Sequence, residues 1–215
     1  MRPAAVLFDC DGVIVDSEPI LFSLLGEDLA RYGLSLDPAE MERLFIGGTV
    51  SGAFTLARKL GADLPDGWVD DFYARTYARL AQGTPLIAGI EEVLDALDAA
   101  SIPYAVGSNG SEEKMQITLG QHPEVYRRMK GRLFSGQALG APKPAPDLYL
   151  FAAKAVAADP RACIVIEDSP TGARAARAAG MRCFGFAPHG DGAALANEGA
   201  VPFRAMSDLP ALLGL

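Results

Sequence analysis

Four short apolar runs constrain the fold of this 215-residue chain more than any other feature: residues 4–8 (AAVLF), 104–107 (YAVG), 163–166 (CIVI) and 183–186 (CFGF). None alternates apolar with polar residues, as a strand with one wet face would. Strands apolar on both faces belong to a parallel sheet that helices cover on either side. Helix-like segments lie between and after the runs, over 90–99, 112–119, 146–157 and 171–179. This alternation predicts an α/β fold: a doubly wound parallel sheet with right-handed crossovers. Residues 200–215 read as a short last strand and helix.

Residues 17–83 break the rhythm. They hold no β-branched run, but Leu21, Leu24, Leu25 and Leu29, and again Ala53, Leu56, Ala57 and Leu60, recur at helical spacing. Turn signals at Gly33, Asp37-Pro38, Gly47-Gly48 and Pro65-Asp66-Gly67 separate the helices. The expected organisation is an α/β core over 1–16 and 84–215, with an all-helical domain over 17–83 inserted after the first strand.

Lysine and arginine number 19 against 27 acids, a formal charge of −8. Such a chain repels phosphate backbones and anionic lipid, which argues against nucleic acid or a membrane as partner. It could hold an anionic small molecule only with help. Cys10, Cys163 and Cys183 cannot all pair with one another, and each adjoins or lies within an apolar run, as small buried hydrophobes do. A reduced, cytoplasmic protein is expected. No apolar stretch is long enough to span a bilayer, and Asp9, Asp11 and Asp16 interrupt any signal-like segment near residue 1. A monomer is compatible with all of this.

Chemistry-bearing residues gather where the strands end. Asp9 and Asp11 close the first run, and Glu167 and Asp168 close the third. Ligands of open α/β sheets bind beyond the carboxyl ends of strands, although Asp11-Gly12 could also be an ordinary turn. Four carboxylates in one partly dry site would repel, so one would take up a proton unless a cation intervened. Mg²⁺ suits such an all-oxygen set and pairs readily with phosphate. The run at 104–107 leads into Ser108, Asn109, Gly110 and Ser111 ahead of a helix, where hydroxyls and backbone N–H groups can hold an anion; Ser111 would serve as its N-cap. Lys143 stands between Pro142 and Pro144, in a loop the prolines stiffen.

In this order the pieces DCDGVIVDSEP, VGSNGS, KPAPDLY and IEDSPTG resemble the four motifs of the haloacid-dehalogenase-like superfamily, phosphatase branch, over essentially the full length. The resemblance implies a phosphatase for small phosphate esters. Asp9 would be the nucleophile that forms an aspartyl-phosphate, and Asp11 the general acid and base. Ser108, Asn109 and Lys143 would hold the phosphoryl oxygens. Asp9, Asp11 through its carbonyl, Glu167 and Asp168 would bind Mg²⁺. The helical insertion would be a cap hinged near 16–19 and 82–85, with Glu18, Gly47, Gly48 and Thr49 as candidates to read the substrate.

Among other readings, dehalogenation is disfavoured because Asp11, Glu167 and Asp168 are all present. Phosphonate hydrolysis is disfavoured because the insertion's only lysine is Lys59. β-Phosphoglucomutase is the nearest rival. Its cap histidine falls on Leu21 and its cap arginine near Val50, so hydrolysis is preferred, with SNGS closer to sugar-phosphate phosphatases such as those for 6-phosphogluconate. A phospho-aspartate signalling receiver fits poorly, since such domains are shorter and lack the insertion. His122 and His189 are isolated surface residues on this reading, Trp68, Phe72, Tyr73 and Tyr77 insertion core, and Arg127 to Arg132 a solvated face.

Overall fold

The structure, a computed structural model, describes residues 2–45 and 49–215, with only the backbone of Glu42. The chain divides into two compact units, Met1–Asp16 with Pro85–Leu215, and Ser17–Thr84. In chain order, β1 (Ala5–Phe8) opens the first unit. The helices α1 (Glu18–Arg31), α2 (Pro38–Phe45), α3 (Val50–Lys59) and α4 (Trp68–Leu80) make up the second. The first unit resumes with α5 (Ile90–Ala99), β2 (Tyr104–Ser108), α6 (Glu112–Leu119), α7 (Pro123–Met129) and β3 (Leu133–Ser135). It ends with α8 (Asp147–Ala155), β4 (Cys163–Glu167), α9 (Pro170–Ala178), β5 (Arg182–Phe186), α10 (Ala193–Asn197), β6 (Val201–Phe203) and α11 (Leu209–Leu213).

The described strands form one parallel sheet in the order β3-β2-β1-β4-β5-β6. Because successive strand side chains point to opposite faces, β1 supplies two cores at once. Val6 and Phe8 join a cluster with α5, α6, α7 and α11. Ala5 and Leu7 join a second with α8, α9 and α10, where Ala152, Ala153, Ala173, Ala175 and Ala176 let those helices lie close to the sheet. This two-sided burial is why the strands read as unbroken apolar runs. β3 was not legible as a strand: it spans three residues at the sheet edge, and Leu133 and Phe134 are only half-buried.

Strand order reverses between β2 and β4 on either side of β1. That switch point leaves a crevice at the carboxyl ends of the central strands. After β1 the chain turns back on itself: Ile14 N and Val15 N both donate to Cys10 O, and Gly12 N donates to Val15 O. Asp16 N donates to Pro85 O and Ile87 N to Ile14 O, which ties together the two strands of chain that leave for the helical unit.

The helical unit has its own core of Leu24, Leu25, Leu29, Met41, Phe45, Ala57, Trp68 and Phe72. Within it, buried Asp28 accepts from Trp68 Nε1 at 2.7 Å and from both terminal nitrogens of Arg75, a charge-assisted fork that satisfies a carboxylate out of water. Tyr73 departs from expectation, lying exposed on α4 rather than in this core. Arg128 is half-buried and pairs with the exposed Asp95 at 2.7 Å and Asp98 at 3.6 Å. The three cysteines are buried free thiols. Among the described residues no helix is long and apolar enough to cross a membrane.

Candidate active site

The crevice is built from four pieces of chain. Asp9 leaves β1 with its backbone N–H on Ile166 O of β4 at 2.9 Å, so the two strand ends are in register where their acids begin. From the loop before α8, Lys143 reaches in: its Nζ lies 2.5 Å from Asp9 Oδ1 and 2.6 Å from Glu167 Oε1. All three groups are buried.

Glu167 is held on every side. Oε1 also accepts from Tyr149 Oη at 2.7 Å, and Oε2 accepts from Ser169 N and Ser169 Oγ at 3.1 and 2.9 Å. A carboxylate has about four acceptor sites, and these contacts fill them. Ser169 also caps α9, accepting from Gly172 N at 3.0 Å. Gly172 is required by this packing, because a Cβ there would lie 1.7 Å from Glu167 Oε1. A similar approach occurs at Gly12, whose φ of +74° favours glycine and whose missing Cβ would fall 1.9 Å from Asp168 Oδ2.

Ser108 ends β2, buried, with Oγ accepting from Gly110 N at 2.9 Å. Asn109 turns its side chain to the lysine loop: Oδ1 accepts from Lys143 N at 2.7 Å and Nδ2 donates to Lys143 O at 3.1 Å. The amide therefore clamps the backbone that carries Lys143. Ser111 caps α6, accepting from Lys114 N at 3.1 Å.

Sequence reasoning missed two participants. Tyr149 holds Glu167 from below, and its ring lies 5.0 Å from Lys143 Nζ. Lys114 Nζ lies 2.8 Å from Asp11 Oδ1. Tyr149 could have been suspected from its position on α8, two residues past Asp147 and six past Lys143. Lys114 offered a signal in the capping pattern, since a lysine stands where a capping glutamate is usual.

The electrostatics show crowded acids. Burial, with Glu167 and Asp11 adding repulsion, pushes Asp9 up from 3.8 to about 7 although Lys143 opposes the rise. Burial works against the charged Lys143, but Asp9 and Glu167 outweigh it and hold the ammonium well above its ordinary range. Burial likewise opposes the Lys114 charge, and Asp11 overcomes it. Burial and the neighbouring Glu167 carboxylate hold the Tyr149 phenol protonated, as its donor role requires.

Of the remaining expected residues, Asp11 and Asp168 are half-buried at the crevice. Carboxylate oxygens of Asp9, Glu167 and Asp168 lie within 4.8 Å of one another, a hard-oxygen set that fits a divalent cation. Glu18 is exposed in the first turn of α1, and Thr49 caps α3 by accepting from Gly52 N at 3.0 Å. Gly47 and Gly48 lie outside the described residues.

The profile of the haloacid dehalogenase-like hydrolases matches residues 3–180. The chain is 32% identical over 212 residues to 6-phosphogluconate phosphatase of Escherichia coli K12, covering 98% of this chain and 95% of that one. Among solved structures it is similar to a hydrolase of the same family from Deinococcus radiodurans R1 with bound phosphate and sodium. That match has TM-score 0.84 and 34% identity, over 99% of this chain and 96% of the other. A haloacid dehalogenase-like protein of unknown function from Agrobacterium tumefaciens C58 matches with TM-score 0.87 and 29% identity, over 98% and 97% of the two chains.

Proposed function

Because the chain belongs to the haloacid dehalogenase-like hydrolases and is a phosphatase of that family, we propose that it hydrolyses a sugar or sugar-acid phosphate through an aspartyl-phosphate on Asp9. The observation that carries this reading is the Asp9–Lys143–Glu167 chain at the switch point, with Asp11 and Asp168 beside it. Similarity to 6-phosphogluconate phosphatase makes 6-phosphogluconate the first substrate to try. Three buried free thiols suit a reducing cytoplasm.

In the first step Asp9 attacks phosphorus, a P–O bond to the carboxylate forms, and the ester P–O bond breaks. The pair of electrons leaves with the ester oxygen, to which Asp11 gives its proton. In the second step Asp11 takes a proton from water as that water attacks the phosphoryl group. Inorganic phosphate departs and Asp9 is restored. Lys143, the Ser108 hydroxyl and the Asn109 backbone N–H hold the phosphoryl oxygens, and their value lies in being fixed before the reaction begins. Asn109 serves this end by clamping the Lys143 backbone.

Mg²⁺ would be held by Asp9, Asp168 and the Asp11 carbonyl, with Glu167 adding charge at short range; when bound it neutralises the acids and the phosphoryl oxygens. Glu167 itself would have to surrender one of four hydrogen bonds to become a direct ligand. The helical unit acts as the cap, excluding water and reading the rest of the substrate.

The test is phosphate release from a panel of sugar phosphates that includes 6-phosphogluconate and β-glucose 1-phosphate, with and without EDTA. Mg²⁺-dependent release is expected. A rate untouched by EDTA would remove the cation from the proposal. Glucose 6-phosphate formed from β-glucose 1-phosphate without free phosphate would replace hydrolysis by a mutase.

A further inference from the structure

Lys114 breaks a local rule. It is the third residue of α6, in the first turn after the Ser111 cap, where the unpaired N–H groups and the helix dipole favour a carboxylate. The structure places a cation there instead and largely buries its side chain, and both choices are unfavourable alone. Local preferences are most often broken at functional sites. What Lys114 gains is Asp11, with Nζ 2.8 Å from Oδ1.

Two hydrogen bonds hold the Lys114 backbone in place. Its N–H is tied to Ser111 Oγ at 3.1 Å, and its carbonyl accepts from Thr118 Oγ1 at 3.1 Å. Gly110 lines the pair: a Cβ there would lie 3.4 Å from Lys114 Cδ, 3.2 Å from Ser108 Oγ and 3.7 Å from Asp11 Oδ2. Asp11 sits on the turn after β1, bridged to Val15 outside the named strands.

We propose that Lys114 is a positioning residue for Asp11: by holding Oδ1 it fixes the carboxyl plane and presents Oδ2 to the leaving-group oxygen. The inference rests on the reading of Asp11 as the acid that protonates the departing oxygen.

Two aryl esters of nearly equal shape separate this role from others. Phenyl phosphate releases a basic phenolate that needs the proton, whereas 4-nitrophenyl phosphate releases an anion that departs without one. kcat/KM reports leaving-group departure and excludes the later hydrolysis of the intermediate. In the full-length chain with Mg²⁺, Lys114→Met is expected to lower kcat/KM for phenyl phosphate by about tenfold or more, a fraction of what general acid catalysis supplies, and for 4-nitrophenyl phosphate by less than about threefold. Lys114→Arg should recover part of the loss. The ratio of the two rates is read within each variant, so a fraction of misfolded protein cancels.

An equal fall for both esters would make Lys114 a phosphate-binding or purely structural residue and overturn the proposal, as would no change. Should the wild-type chain release phosphate from neither ester nor from any sugar phosphate of the panel, the aspartyl-phosphate reading itself falls. A wild-type chain that works while Lys114→Met shows no change in ratio refutes this inference alone.

Discussion

Replacing Lys143 by Met removes the cation shared by two buried carboxylates while keeping most of the side chain's apolar volume. In the wild-type chain its Nζ stands 2.5 Å from Asp9 and 2.6 Å from Glu167, all three out of water. Removing one partner of a buried ion pair costs about 3–5 kcal/mol, because the charges left behind cannot be resolvated. For a chain of this size each kcal/mol moves the melting temperature by roughly 2–4 °C, so a fall of about 6–20 °C is expected. The penalty should depend on pH. Below pH 6 Asp9, already raised to about 7 in the presence of the lysine, carries its proton with or without that lysine, so the pair loses less there. At pH 8 the wild-type Asp9 is ionised beside Lys143, whereas without the lysine it must either take up a proton or stay charged and unpaired, so the fall should be larger there. Scanning calorimetry of the metal-free full-length protein at pH 5.5 and pH 8 measures both effects. A drop under about 2 °C at both pH values, or one that is independent of pH, would show that Lys143 does not neutralise these acids.

Three further outcomes follow from the same geometry. Asp9→Asn should abolish phosphate release from every ester while retaining the circular dichroism of the fold; appreciable turnover would remove Asp9 as nucleophile. Because the folded state raises the Asp9 pKa above its unfolded value, its contribution to stability is present at acid pH and is lost as pH climbs from about 4 through 7. In EDTA, therefore, Asp9→Asn should melt progressively higher relative to wild type between pH 5.5 and pH 8, and a constant difference would refute the shift. Gly172→Ala places a methyl group where Glu167 Oε1 now lies, so it should cost about 1–3 kcal/mol and weaken activity through Lys143. Unchanged melting would mean that the carboxylate can move aside without loss.

Much of the sheet was legible because burial on both faces leaves a plain mark in sequence. Val6 and Phe8 face one helical layer and Ala5 and Leu7 the other, so no polar residue interrupts the run. β3 left no such mark, since an edge strand of three residues is too short to show a period. Tyr73 misled for a related reason: aromatic spacing along α4 gives the stripe but not its width, and Tyr73 lies beside it. At the site, the acids were legible from their positions at strand ends. The contacts that hold them were not, because they join residues far apart in the chain. Asn109 meets the Lys143 backbone across 34 positions, and Lys143 meets Asp9 across 134.

Those contacts also explain how an acidic chain can receive an anion. Four carboxylates (Asp9, Asp11, Glu167, Asp168) stand against two ammonium groups (Lys114, Lys143), a side-chain balance of 2 − 4 = −2 when all are ionised. Burial first, and the neighbouring Glu167 and Asp11 after it, raise Asp9 to about 7, and a proton there relieves what the lysines do not. A proton on Asp9 would quench the nucleophile, whereas a divalent cation would supply the same relief and leave the carboxylate free to attack. The two lysines divide the remaining work by place. On the proposed mechanism Lys143, buried between Asp9 and Glu167, would hold the phosphoryl side, and Lys114, bound to Asp11, the leaving-group side. The anion would thus be met by the two lysines together with a bound cation, which offset the local excess of acids, and the net charge of the chain has little bearing on it.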